Sequence, residues 1–369
     1  MTKNNCDLFF VRTQNARKII VVDFGFLGDI IQLCPALWMI HENYPQAEIH
    51  VVTTPVGTEV LKMVPCVKKS WPYTLTNPSP PWYKSFKLIR QLRKEHFDLL
   101  FNFTGTDRTI FFSFALGVKY RVAQISNRWH FYNPLLFPYW VPRVWKEGWS
   151  VYDIRCEMLR NCGLRDSLNS ENPFQLFSIH SRKIYNLLKA NRINQKYVHC
   201  SLNTSTFLKE WSVENWIALC NLILKHYPDV TLLFTCAKND REIKRVEEVK
   251  KYLPAERIHV FTDTLTIPML ADILSYCKCH LGCDSGPTHL AWALGIPTLT
   301  LHRYDPDHRY DPNSGVLGVW VPKGDKHIQL WGKCRCLKEV QESCKNAQAS
   351  LCLGKITPEE VFERFSLLM

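Results

Sequence analysis

Eight short apolar runs, separated by stretches long enough for a helix, constrain this chain more than any other feature. They are KIIVVDF (18–24), EIHVVTT (48–54), FDLLFNF (97–103), KYVHCSL (196–202), VTLLFTC (230–236), RIHVF (257–261), CHLGC (279–283) and PTLTLH (297–302). Near-continuous β-branched strands suit parallel sheets covered on both faces, since a sheet with one wet face would alternate apolar and polar residues. The pattern predicts an α/β fold of two units in series. At 369 residues the chain also exceeds the usual size of one hydrophobic core.

The gap between the third and fourth runs holds the boundary. RWHFYNPLLFPYWVPRVWKEGW (128–149) is rich in proline and aromatics and has no clean period. A helical VYDIRCEMLRNCGL (151–164) follows, then SLNSENPFQLF (167–177), whose Ser, Asn and Pro content marks a linker. The expected domains are residues 1–170 and 171–356, with a C-terminal helix in 357–369. There Thr357 is the N-cap, Pro358 takes the first helical position and Glu360 the third.

Three strand-to-turn-to-helix junctions carry the chemistry. In DFGFLGDIIQLCPAL the first run ends, Gly25 and Gly28 follow, and Asp29 opens a helix. Ligands of open α/β sheets bind at the carboxyl ends of strands, and glycines there allow close approach. The third glycine of a dinucleotide fingerprint is missing, and Asp29 as a plain helix cap is the competing reading. In SLNTSTFLKEW the strand leads to Thr204, Ser205, Thr206 and Lys209, hydroxyls and a point charge that suit phosphate, or else a solvated surface loop. In LGCDSGPTHLAWALG, Asp284, Ser285 and Gly286 precede a helix whose N-terminal dipole attracts anions, and His289 lies on its first turn. A hydrogen-bonded core histidine is the alternative for His289.

A net charge of +12 favours an anionic partner, whether phosphate, nucleic acid or a membrane surface. An apolar fraction of 46% excludes a disordered chain. Asp7, Arg12, Arg17 and Lys18 interrupt the N-terminus, which is no secretory signal, and no apolar run reaches the ~20 residues of a membrane span. A cytoplasmic enzyme, soluble or peripheral at the inner membrane, is expected.

The blocks GDIIQLCPAL with YPQAEIHVVT, KEWSVENW and DSGPTHLAWALGIPT, in this order, resemble the ADP-heptose:lipopolysaccharide heptosyltransferase family, glycosyltransferase family 9. The resemblance runs from about residue 17 to the C-terminal helix. It implies a GT-B architecture, two Rossmann-like domains facing across a cleft, with acceptor on the first and ADP-heptose on the second. It also implies inversion at the anomeric carbon with no catalytic metal or cofactor. By that resemblance Asp29 is the general base, with Gly28 beside it as a weaker donor contact. Lys209 neutralises the diphosphate with Thr204, Ser205 or Thr206, Asp284 holds sugar hydroxyls, and Ser285, Gly286 and His289 meet sugar and phosphates. Asp240 or Glu242 stands where the family carries an acidic residue near the ribose. The implied acceptor is the lipid A-linked lipopolysaccharide core; Ser or Thr of an autotransporter adhesin, or a non-enzymatic basic binding module, are the alternatives.

Two further segments need a reading. Lys62, Lys68, Lys69, Lys84, Lys87, Arg90, Arg93 and Lys94 lie between Glu59 and Glu95 with no acid among them, interleaved with Trp71, Tyr73, Trp82 and Tyr83. They suit an anionic lipid surface or acceptor in preference to nucleic acid. Cys334, Cys336, Cys344 and Cys352 are close in sequence but not at a standard zinc spacing. Family members that modify adhesins carry a cysteine-bound iron, so the resemblance leaves a structural Fe or Zn, a disulfide or free thiols open.

Overall fold

The computed structural model describes residues 5–74, 82–125, 133–146, 148–169, 171–191, 193, 197–262, 265–303, 321–332 and 349–369. It divides into two units, residues 1–176 and 177–369.

The first unit is a six-stranded parallel sheet of β1 (Lys18–Val22), β2 (Glu48–Thr53), β3 (Val67–Pro72), β4 (Leu99–Asn102), β5 (Tyr120–Ile125) and β6 (Tyr139–Pro142). Their spatial order is β3-β2-β1-β4-β5-β6, the doubly wound order, with its switch point between β1 and β4. Four of five β1 residues and all of β4 are buried, as strands covered on both faces must be. Ile20, Val22, Phe24, Val52, Leu100 and Ile125 belong to one core cluster.

The second unit repeats the plan with β7 (Tyr197–Ser201), β8 (Thr231–Thr235), β9 (Ile258–Phe261), β10 (Cys279–Cys283), β11 (Thr298–His302) and β12 (His327–Trp331). The order β12-β11-β10-β7-β8-β9 puts the switch point between β7 and β10. Both candidate turns of this unit therefore leave the two strands where an open sheet binds its ligand. Trp211 and Trp216 meet edge to face at 5.5 Å inside the core. The C-terminal helix, Pro358–Ser366, buries Val361 and Phe365 in the same core, and the Thr357 side chain caps the Glu360 amide at 3.2 Å. Among the described residues no helix is long and apolar enough to cross a membrane.

Candidate active site

In the second unit, the turn after β7 and the turn after β10 meet through their charged side chains. Lys209 Nζ donates to Asp284 Oδ2 at 2.6 Å, and His289 Nε2 stands 3.6 Å from Asp284 Oδ1. Burial works to raise the Asp284 pKa, but the adjacent His289 imidazole and the charges of Lys209 and His302 overcome it and hold the carboxyl below its ordinary value. Asp284 is thus an anion set between a lysine and an imidazole. Helix Gly286–Ala293 starts immediately after, with the positive end of its dipole at the same strand end. Ser285 Oγ and Asn203 Oδ1 are buried with no hydrogen-bond partner among the described residues, so each turn contributes one unmet polar atom.

The three hydroxyls of the Thr204–Thr206 turn differ in what they do. Thr204 is buried and its hydroxyl donates to the Thr206 carbonyl at 2.6 Å, while Thr206 Oγ1 caps the Leu208 amide at 3.3 Å. Both shape the turn, and Ser205 alone is exposed. Beneath it Glu210, fully buried, accepts the Thr204 amide at 2.8 Å and both carboxylate oxygens take Arg241 Nη1, at 2.7 and 2.8 Å. Arg241 Nη2 also donates to the Thr204 carbonyl at 2.7 Å. Two charged residues that the sequence reading passed over therefore set the shape of the Thr204–Thr206 turn.

Glu242 is committed to its own loop, accepting Ala237 N–H at 2.9 Å and Asn239 Nδ2 at 3.0 Å. Asp240 opens helix Asp240–Lys250 and is exposed. The loop lies at the end of β8, beside β7 in the sheet.

In the first unit Asp29 caps its helix with one carboxylate oxygen and faces Arg155 with the other. Its Oδ2 accepts the Phe26 amide at 2.9 Å, and its Oδ1 lies 3.9 Å from Arg155 Nη2. The cap and catalytic readings are compatible, since one oxygen serves the backbone and the other is open to chemistry. Arg155, 5% exposed, also donates to Asp23 Oδ2 at 2.7 Å and to the Asp29 carbonyl. Asp23 is buried; burial raises its pKa, against the opposing charge of Arg155. Gly25 is required by contact, because a Cβ there would lie 2.1 Å from Asp29 Cβ. Gly28 is the second residue of helix Leu27–Ile31 and half-buried.

Helix Trp82–Arg93 carries the basic segment, with Lys87, Arg90, Arg93 and Lys94 exposed. Tyr73 is not part of that surface: it is buried and stacks on Phe24 at 4.3 Å. The side chains of Trp82, Tyr83 and Lys84 lie outside the description. So do Cys334, Cys336 and Cys344; Cys352 is buried, and among the described residues no three His, Cys, Asp or Glu side chains are grouped to hold a metal.

The sequence model of Glycosyltransferase family 9 (heptosyltransferase) matches residues 85–350, most of the chain. The chain belongs to glycosyltransferase family 9. Among its family 9 relatives, lipopolysaccharide heptosyltransferase 3 of Escherichia coli is 22% identical over 311 residues, 83% of this chain and 86% of that one. The glycosyl transferase family 9 structure from Veillonella parvula superposes with a TM-score of 0.79 at 16% identity, covering 95% of this chain and 97% of that one. The E. coli heptosyltransferase WaaC, solved with ADP, has a TM-score of 0.70 at 13% identity, covering 95% and 100%. The two parallel sheets are those of the GT-B heptosyltransferases, and this family 9 chain is a glycosyltransferase. The non-enzymatic binding module is thereby set aside.

Proposed function

We propose that this family 9 enzyme transfers heptose, with inversion, from ADP-heptose to a hydroxyl of the lipopolysaccharide inner core. The observation that carries the proposal is the Lys209–Asp284–His289 group at the N-terminus of helix Gly286–Ala293, beside the switch point of the second sheet. A sugar diphosphate matches it: cationic Lys209 and the helix N-terminus for phosphate, and the Asp284 carboxylate for sugar hydroxyls. The E. coli relative solved with ADP supports the choice of nucleotide.

The reaction needs a base for the acceptor and charge stabilisation for the leaving group. Asp29 Oδ1 takes the acceptor proton while the acceptor oxygen bonds the anomeric carbon and the bond to the ADP oxygen breaks. The charge that develops on the diphosphate falls to Lys209 and the positive end of the helix dipole. Arg155 Nη2, 3.9 Å from Asp29 Oδ1, sets a fixed positive charge beside that carboxylate. The exposed cationic face of helix Trp82–Arg93, with Phe86 beside it, supports a peripheral position on an anionic membrane at the cytoplasmic face.

Purified protein mixed with ADP-heptose and heptose-free core lipid should release ADP. No turnover with that or any other heptose acceptor overturns the proposal.

A further inference from the structure

His199 and His280 sit on neighbouring strands as direct ladder partners, both wholly buried. Four contacts join them to the strand ends. His199 Nε2 is 2.9 Å from Thr235 Oγ1, His199 Nδ1 is 2.8 Å from His280 Nδ1, and His280 Nε2 is 3.0 Å from Thr288 Oγ1. Thr288 Oγ1 in turn donates to the Cys283 carbonyl at 2.8 Å.

The proton order follows from the carbonyl end. A carbonyl only accepts, so the one hydroxyl hydrogen of Thr288 goes to Cys283, and Thr288 oxygen must receive the His280 Nε2–H. A neutral His280 then has a bare Nδ1, which accepts from His199 Nδ1–H. That leaves His199 Nε2 to accept from the Thr235 hydroxyl. Burial favours the neutral rings, pushing His199 down to about 3, and His280 well below its ordinary value with His199 adding to the effect. Gly282 makes room for the chain: a Cβ there would lie 2.9 Å from His280 Nε2 and 3.1 Å from the Ser201 carbonyl.

Thr288 is the third residue of helix Gly286–Ala293, and its amide bonds the Ser285 carbonyl at 3.1 Å. We infer that His199 and His280 are positioning residues: a directional chain of neutral hydrogen bonds, Thr235 to His199 to His280 to Thr288, fixes the first turn of the donor-binding helix on the sheet. The first turn carries Ser285, Gly286 and His289, so the positioning role rests on the donor site proposed above. A buried polar chain is tolerated only when every member is satisfied, and here all four ring nitrogens are.

The test combines tautomer and affinity. Long-range ¹H–¹⁵N correlation on the full-length protein at pH 7.5 should find His199 as the Nδ1–H tautomer and His280 as the Nε2–H tautomer. Any other pattern, or a charged ring, overturns the chain. Thr288→Val should weaken ADP binding by roughly 3- to 10-fold, the scale of one net hydrogen bond, and Thr288→Ser should restore it. Wild-type affinity in Thr288→Val refutes the positioning role. A wild-type protein that binds no ADP refutes the donor site and the positioning role with it, while the tautomers still decide the chain by themselves.

Discussion

Lys209 and Asp284, 75 residues apart in sequence, meet at 2.6 Å between ammonium and carboxylate. Each follows a strand at the switch point of the second sheet, and neither side chain is sealed off, with 36% and 19% of their surface exposed. The lysine is therefore held at the helix N-terminus by the carboxylate, an order that would lower the cost of binding an anion there.

Removing that cation should be felt in donor affinity. Hydrogen bonds to charged groups are worth about 1.5–3 kcal/mol, so Lys209→Ala should weaken ADP binding by about 10- to 100-fold in calorimetry. Unchanged affinity would remove Lys209 from the site.

Asp29→Asn separates chemistry from architecture. The amide oxygen of asparagine can still accept the Phe26 N–H, so the helix cap and the melting temperature should persist. Loss of a positioned base should lower kcat by ~10²–10⁴ with ADP affinity unchanged. Full activity in this variant would disprove Asp29 as the base.

How far the fold was legible depended on burial. All eight apolar runs are strands, within two residues at either end. Of the four others, β3, β6 and β12 lie at sheet edges, where one side of the strand has no neighbour and the sequence need not be continuously apolar: β3 is Val-Lys-Lys-Ser-Trp-Pro. The fourth, β5, is interior but includes Arg121 and Gln124, and Gln124 is buried because its side chain donates to the Ile154 carbonyl at 2.8 Å. At the site, Lys209 and Asp284 could be read from their turns, since each follows an apolar strand. Arg155 and Arg241 could not: Arg155 comes from a helix read only as such, 132 residues from Asp23, and Arg241 from a stretch read only for its neighbours Asp240 and Glu242. The two histidines were visible as polar residues inside apolar strands, CHLGC and KYVHCSL, a signal of a buried hydrogen-bonded group.

Glu210→Gln should cost stability and donor affinity together. Glutamine keeps an oxygen for the Thr204 amide but leaves Arg241 and Arg245 without their anion. Losing one partner of a wholly buried pair costs about 3–5 kcal/mol; Arg241 is 42% exposed, so about 1–3 kcal/mol is expected in urea unfolding. An unchanged unfolding midpoint would show that the arginines need no counter-charge to hold the turn.

Stability should fall with acidification well before the carboxylates titrate. His199 is pushed down to about 3 in the folded chain, and His280 well below its ordinary value, whereas both titrate near ~6.5 once unfolded. Between those values the unfolded chain binds more protons, so stability is complete above pH ~6.5 and is lost as pH falls toward the folded values. At pH 4.5, two units below the unfolded value, His199 alone accounts for about 2–3 kcal/mol. His302, lowered chiefly by burial, and His327, pushed down to about 4 by burial and Lys326, add in the same direction. Asp284, whose folded pKa is depressed, adds its loss only below pH ~4, while the raised pKa of Asp23 works the opposite way. The urea midpoint should therefore drop steadily from pH 6.5 to 4.5. A flat midpoint over that range would mean that the buried imidazoles accept protons in the folded protein as readily as in water, and the neutral chain from Thr235 to Thr288 would not stand.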